Sequence, residues 1–146
     1  MANYQIRQFT GNIDAWINAV EQGLNDCIEI FADKVNEALI DGSPVDTGRF
    51  KANWQITANR PPLYALNEYD RGGEKTKAAG ARAIRAIMRG GGAVRSIHFS
   101  NMLIYANALE YGHSKQAPAG VVGIVAARLR SFMAEAIRES RAKNAL

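Results

Sequence analysis

The sequence contains a single cysteine, two histidines and no long apolar run, and each shortage excludes a class of protein. Cys27 alone cannot form an intramolecular disulfide, which excludes a disulfide-stapled domain and fits a reducing cytoplasm; on an apolar helix stripe it is expected to be a small buried hydrophobe. No run approaches the roughly 20 apolar residues of a membrane span, and no signal-peptide pattern is present, so we expect no membrane contact. With 146 residues, 47% of them hydrophobic, we expect one domain over residues 1–146.

Groups of side chains that would support catalysis or hold a metal or cofactor are also missing from the sequence. His98 and His113 are far apart, whereas zinc sites use several ligands at short fixed spacings. The triplet Asp46–Gly48 matches that of aspartic proteases, but a Ser-Pro turn precedes it in place of an apolar strand. The glycines 90–92 lack the Lys-Ser/Thr ending of a phosphate-binding loop. We therefore expect no enzyme activity and no catalytic, metal or cofactor site.

Charge is distributed unevenly, although the net charge is only +4. Residues 1–70 carry −5, residues 71–95 carry +6 and residues 96–146 carry +3, which together give +4. The central segment is predicted to be a helix whose basic residues share one face and lack compensating acids. We consider three interpretations: contact with DNA phosphates without base readout, docking to an acidic protein, and a solvated surface. The candidate DNA-channel residues are Lys75, Lys77, Arg82, Arg85 and Arg89.

Hydrophobic periodicity predicts an α+β fold in which a long N-terminal helix packs on a small antiparallel sheet, with a basic central helix and a C-terminal helix. Apolar residues from Ile13 to Leu39 recur at three- and four-residue steps, which predicts a helix from an N-cap at Asn12 to Asp41, with Gly42 following it. Alternation from Phe50 to Ala58 predicts a strand, followed by an irregular segment with strand potential near 63–66. The remaining predicted elements are helices at about 74–89, 103–111 and 126–141 and a strand at about 93–100, with residues 121–125 open between strand and helix.

The predicted first helix would be roughly 45 Å long, more than a compact domain of this size needs to cover one sheet. Packing of part of the helix on a neighbouring subunit would explain that length, and a simple long core helix is the alternative. Before the first strand, the segment 43–48 is predicted to be a turn, with an Asx-turn at Asp46 and a glycine that tolerates positive φ at Gly48.

Two separated segments carry a resemblance to a known family. The first is Pro44-Val45-Asp46-Thr47-Gly48 continuing to Trp54, and the second runs from Asn101 through Tyr105-Ala106 to Leu109-Glu110-Tyr111-Gly112. In this order, between a long N-terminal helix and a helical C-terminus, they resemble the tail-completion (neck) proteins of long non-contractile-tailed bacteriophages, especially a lambda-like and prophage subset. Such proteins are also called minor tail proteins. The signature residues are Asp46, Thr47, Gly48, Trp54, Tyr105, Ala106, Leu109, Glu110, Tyr111 and Gly112.

The resemblance implies a structural protein of the virion neck, made in the bacterial host cytoplasm, that completes the tail and helps join it to the DNA-filled head. It further implies a homo-oligomeric ring, a hexamer by analogy, around the DNA channel. The implied partners are the tail terminator or tail tube, the head connector and, nonspecifically, packaged DNA. A tail terminator and a small basic nucleic-acid-binding regulatory protein are the alternatives. The segment 71–95 would be a flexible basic insert.

Two expectations concern individual signature residues. Glu110 is expected to be a structural carboxylate that pairs with Lys115 or another basic neighbour. The large apolar residues of both segments are expected in the core because of their strand and helix spacing. They are Phe50, Trp54, Tyr105, Leu109 and Tyr111.

Overall fold

The computed structural model describes residues 2–112 and 114–144, with side chains from residue 13 onward. Within that range the chain has an α+β fold of helices around a two-stranded antiparallel sheet, which confirms the predicted class. The elements are α1 (Ala2–Asp41), α2 (Arg49–Ala52), β1 (Trp54–Ala58), α3 (Glu74–Arg89), β2 (Ile97–Asn101), α4 (Ala106–Glu110) and α5 (Val122–Asn144).

Helix α1 begins at Ala2, so the predicted start at Asn12 is wrong. An N-cap residue type does not end a helix by itself, and an internal glycine such as Gly11 costs only about 1 kcal/mol. The predicted end is confirmed, since the helix stops at Asp41 and the Gly42 N–H donates to the Ala38 carbonyl over 2.9 Å. At 1.5 Å per residue, the observed helix is about 60 Å long.

The first strand is shorter than predicted because Arg49–Ala52 forms one helical turn, α2. Gly48 adopts a left-handed φ of 88°, and its carbonyl accepts the Ala52 N–H over 3.0 Å. One helical turn can bury Phe50 and Ala52 as an alternating strand would, so the apolar pattern did not distinguish the two. The strand itself, β1, begins only at Trp54.

Strand β2 pairs antiparallel with β1, with Trp54 opposite Asn101 and Ala58 opposite Ile97. It begins at residue 97 instead of 93 because a loop is fixed at Asn59, where φ is 67°. The Asn59 side-chain oxygen accepts the N–H of Arg95 over 2.7 Å, which holds that residue outside the ladder. The strand potential near 63–66 is not realised, and that segment is irregular.

The core lies where the C-terminal half of α1 meets α2, the sheet and α5. Its buried apolar residues are Val35, Leu39, Ile40, Phe50, Trp54, Leu103, Ala117, Val121, Val125 and Phe132. The rest of the predicted α1 stripe is not covered by this chain: Ile13, Trp16, Ile17, Leu24 and Ile28 are exposed, Trp16 at 64% and Leu24 at 60%. Cys27 is only half-buried, with its Sγ 4.0 Å from the Met133 Sδ.

Helix α3 has the predicted bounds and packs closely on α1. Its buried residues Thr76, Gly80 and Ile84 are four apart and therefore share one face. A side chain at Gly80 would overlap the Asn36 side chain of α1, so the glycine sets the close approach of the two helices. Most of the predicted insert 71–95 is therefore a packed helix.

The last two helices differ from prediction at their ends. Helix α4 is Ala106–Glu110, shorter than the predicted 103–111, and α5 begins at Val122, so residues 122–125 are helical. On α5 the predicted stripe is only partly buried, because Leu129, Met133 and Ile137 each remain more than a third exposed. None of the helices in the described ranges is long and apolar enough to cross a membrane.

Candidate functional site

The two signature segments, far apart in sequence, lie against each other in the structure. In the loop just after the second segment, the Gln116 side-chain amide makes two hydrogen bonds to the Val45 backbone, accepting its N–H and donating to its carbonyl, both over 2.8 Å. The ring centroids of Phe50 and Tyr105 are 6.3 Å apart. A cleft of about 260 Å³ separates the segments, and its lining includes Asp46, Thr47, Arg49, Leu109 and Ser114. We call it the signature cleft.

Gly48 is the residue of the Asp46–Gly48 triplet that the backbone requires. Besides its positive φ, an added Cβ would lie 2.5 Å from the Arg71 backbone nitrogen, so another part of the chain passes directly over it. The Thr47 hydroxyl accepts the Arg49 N–H over 3.3 Å, whereas Asp46, expected to form an Asx-turn, is exposed. The triplet is therefore a structural turn at one wall of the cleft.

Glu110 is a structural carboxylate, but its partner is the start of α5 and not Lys115. Its oxygens accept the N–H groups of Val121, Val122 and Gly123 over 2.9, 2.7 and 3.0 Å. Burial acts to raise the pKa of Glu110, and the three hydrogen bonds outweigh it, so the pKa lies below its usual value. The carboxylate thus satisfies free N–H groups and faces the positive end of the helix.

Gly112 and Gly120 frame the loop that lets this contact form. Gly112 has a φ of 90° and ends the segment after α4 as predicted, and Gly120 has a φ of 84°. A side chain at Gly120 would overlap the Glu110 carbonyl oxygen. The Leu-Glu-Tyr-Gly segment therefore acts as a clasp between α4 and α5.

Trp54 connects the sheet to the end of α1. Its Nε1 donates to the Ser43 hydroxyl over 2.7 Å, and that hydroxyl donates to the Leu39 carbonyl over 2.6 Å. Two asparagines extend the network. The Asn101 Nδ2 donates to the Phe50 carbonyl over 2.8 Å, and the fully buried Asn53 bonds to backbone on both sides.

The sequence did not reveal these polar contributors, Ser43, Asn53 and Gln116, because each bonds to a residue distant in sequence or to backbone. Asp70 was also missed. It accepts the N–H groups of Gly73 and Thr76 at the start of α3 over 3.0 and 2.9 Å. Its position just before a predicted helix was the one available indication.

The predicted burial of the signature aromatics is only partly right. Phe50 and Trp54 are buried, and Leu109 and Ala106 pack against the core at partial burial. Tyr111 is 80% exposed and Tyr105 is 37% exposed, so their expected core placement is wrong. Tyr105 lines the signature cleft, and Tyr111 lies on the surface outside that lining.

The cleft is lined by groups suited to polar contact. The Thr47 and Ser114 hydroxyls each accept a backbone N–H two residues onward, which leaves their O–H groups as donors. The Arg49 Nε is buried without a hydrogen-bond partner among the described residues. No cluster of three metal-ligating side chains occurs in residues 2–112 and 114–144. His98 lies in β2 with its ring 3.1 Å from the Ser96 hydroxyl, and His113 lies outside the described residues.

The basic segment does have compensating acids, which corrects the prediction that it lacks them. They come from α1, where Glu29, Asp33, Glu37 and Asp41 are spaced four apart and face α3. Lys77 pairs with Asp41 over 2.6 Å and Arg89 with Glu29 over 3.7 Å. Arg85 acts on Asp33, opposing the burial and the Glu37 charge that together raise the pKa of Asp33.

Only part of the predicted DNA-channel set therefore faces solvent without an ion-pair partner among the described residues. Lys75 and Arg82 are exposed and make no ion pair with any described residue, whereas Lys77, Arg85 and Arg89 lie along the acidic row of α1. We call Lys77, Arg85 and Arg89, whose charges are neutralised by the acids of α1, the inner row of α3. Lys75 and Arg82, which face solvent, form the positive outer row.

No protein-family model, curated protein or solved structure matches the chain. A function for it rests on its own residues: the signature cleft, the Glu110 clasp, the outer basic row of α3 and the uncovered apolar surface of α1 and α5.

Proposed function

We propose that this chain is a structural neck protein of a long-tailed bacteriophage, which completes the tail and helps join it to the DNA-filled head. The observation that carries the proposal is the adjacency of the two signature segments. The segment 44–54 lines one cleft together with the segment 101–112 and the loop that follows it, and Val45 is bonded to Gln116 of that loop. Two segments that resemble one family, come from distant parts of the chain and form one surface are what a docking surface requires.

A structural role also agrees with the chemistry of the cleft. Its polar groups are the three hydroxyls of Thr47, Tyr105 and Ser114, an amide, a guanidinium and the Asp46 carboxylate, with no nucleophile–base pair among the residues that line it. Mixed donors and acceptors of this kind suit hydrogen bonds to another protein. Tyr105 in the cleft and the exposed Tyr111 are tyrosines, a residue type enriched in protein interfaces.

The proposal includes a homo-oligomeric ring around the DNA path, with the tail tube or terminator on one side and the head connector on the other. A ring built from one chain uses two different complementary surfaces on every subunit. The exposed apolar surface of α1 supplies one candidate surface, and the outer basic row of α3 would face passing DNA. The hexameric number comes from the resemblance alone.

Deletion of the gene from the phage or prophage that encodes it tests the proposal. We expect filled heads and finished tails that accumulate unjoined in electron micrographs, with joining restored by the wild-type gene in trans. Tails of uncontrolled length would identify a tail terminator instead. Normal infectious particles, or a genetic neighbourhood without portal, head and tail genes, would refute a neck role. Tight duplex binding by the free monomer at moderate salt would favour a nucleic-acid-binding regulator.

A further inference from the structure

An apolar groove runs along one side of the α1–α5 pair. At one end it lies between the sheet and the two helices, where Phe31 and Phe99 face Val122 and Leu129. It continues past Ile28, Ile97 and Met133. It then opens between the N-terminal part of α1 and the end of α5, at Trp16, Leu24 and Ile137.

Two observations join these three clefts into one groove. The first two share Phe31 and Phe99, and Met133 of the second lies 4.0 Å, sulfur to sulfur, from Cys27 of the third. The apolar side chains along it remain exposed, with Val122 at 49% and Met133 at 37%. An apolar surface this long is unusual on a monomer and marks an interaction site.

The charge around the groove selects its occupant. The residues lining all three clefts include two arginines, Arg95 and Arg141, and no aspartate or glutamate. A complementary occupant is therefore an amphipathic helix with an apolar stripe and flanking acids.

This chain itself contains such a helix. Residues 13–24 of α1, which we call the arm, carry Asp14 and Glu21 and no basic residue. The two acids are seven residues apart, so they lie on one flank of the stripe formed by Ile13, Trp16, Ile17 and Leu24. At the base of the arm the end of α5 is fixed by the Ser140 hydroxyl, which donates to the Gly23 carbonyl.

Trp16 and Leu24 of the arm line only the far end of their own groove, so the arm leaves the sheet end, at Phe31 and Phe99, uncovered. We infer that the arm of one subunit lies in the groove of a second copy of this chain. Each subunit then gives one arm and receives one, a head-to-tail contact that makes a closed ring or an open filament. Closure into a ring rests on the proposed neck function, whereas the arm-in-groove contact does not.

Cross-linking between two differently marked subunits tests the contact. In a Cys27→Ala background, one protein carries Ile17→Cys on the arm and the other carries Val94→Cys at the rim of the groove. With a short thiol cross-linker, the mixture is expected to give a heterodimer, and each protein alone little product. Strong cross-linking by Ile17→Cys alone would show arm-to-arm pairing and overturn the inference, as would a mixture that reacts no better than its parts.

Charge reversal tests the complementarity independently. Asp14→Lys with Glu21→Lys should weaken self-association in light scattering about tenfold or more, and so should Arg95→Glu with Arg141→Glu. Each reversed protein should fail to associate with itself, whereas a mixture of the two should associate again, because every arm then meets a groove of opposite charge; all four changes in one chain should restore association for the same reason. Glu68→Lys with Arg82→Glu, on other exposed surfaces, is the matched control. Failure of the four-change chain to recover would contradict the inference.

The two hypotheses fail separately. Absence of cross-links and of concentration-dependent mass in the purified protein, together with unjoined heads and tails in the deletion, would remove the arm contact and leave the neck role. Efficient arm-to-groove cross-links together with normal virions in the deletion would retain the contact and remove the neck role.

Discussion

At the scale of single residues, Glu110 is where the sequence motif and the structure agree most closely. It is the last residue of α4, two residues before Gly112, and its carboxylate accepts the free N–H groups at the start of α5. Its structural role could be inferred from the sequence, because no second acid or base lies near it. Its partner could not, because the start of α5 was ambiguous and an N–H group leaves no trace in side-chain identity.

Glu110→Gln should therefore destabilise the fold by about 1–2 kcal/mol at neutral pH, since a neutral amide accepts weaker hydrogen bonds at the helix start. The pKa of Glu110 is lowered from 4.5, so the stabilisation is complete above that pH and is lost as pH falls through the lower folded-state pKa. Urea titrations of both proteins from pH 7 to pH 3 measure this. The difference in unfolding free energy between wild type and Glu110→Gln should shrink in acid, and the control Glu68→Gln, at an exposed position, should unfold like the wild type. A difference that does not change with pH would contradict the role of the Glu110 carboxylate at the start of α5.

The aromatic signature residues separate into structural and surface roles. Trp54→Ala removes a buried ring and its bond to Ser43, and should cost about 3–5 kcal/mol. Tyr111→Ala should change stability by less than about 0.5 kcal/mol, because the ring is 80% exposed. Thermal unfolding of the two variants checks this pair. If Tyr111→Ala nevertheless abolishes head–tail joining, the Tyr111 side chain contacts a partner in the assembled neck.

At the scale of elements, the periodic helices were predicted well and the short elements poorly. Helix α3 was found at its predicted bounds because its pattern is strong and glycines follow it. The turn α2 was mistaken for strand because four residues are too few to distinguish a period of two from one of 3.6. Burial could not be predicted from periodicity either: the α1 stripe is continuous, but this chain covers only its C-terminal half.

The contact between α1 and α3 gives a prediction of opposite sign to that for Glu110. Burial and Glu37 raise the pKa of Asp33, so its ionised form weakens the folded state above that pKa, and stability recovers as pH falls through it. Asp33→Asn should therefore stabilise the protein at pH 7 by up to about 1 kcal/mol, and the gain should vanish in acid. Calorimetry at pH 7 and pH 3 measures it. Arg85→Gln should lower stability at pH 7, since Arg85 opposes the rise in the Asp33 pKa. A destabilised Asp33→Asn would show that the ionised Asp33 does not weaken the folded state.

At the scale of the whole molecule, the question is what the positive charge of the second half acts on. The chain neutralises much of it internally, since α1 supplies acids to Lys77 and Arg89. Part of the positive charge in segment 71–95 therefore pairs with α1 within the fold. The sequence alone could not distinguish these internally paired charges from charges that bind a partner. What remains for an external partner on α3 is the outer row at Lys75 and Arg82.

Two matched pairs of substitutions separate the inner and outer rows. Lys75→Gln with Arg82→Gln should leave stability within about 0.5 kcal/mol, because both side chains are exposed. If the outer row faces DNA, this pair should reduce the salt dependence of DNA binding by the assembled protein by about two phosphate contacts per subunit, without altering base preference. Lys77→Gln with Arg89→Gln should instead lower stability and change the salt dependence little, since those charges already pair with α1.

Particles made with the outer-row variant decide between DNA and a protein partner. Joined particles that fail to retain DNA would support a channel-facing row, because joining would not depend on these charges while DNA retention would. Heads and tails that accumulate unjoined would show that Lys75 and Arg82 dock to an acidic surface of the connector or tail. Normal particles with unaltered DNA binding would mean that the outer row is solvated surface, and its positive field then serves neither partner.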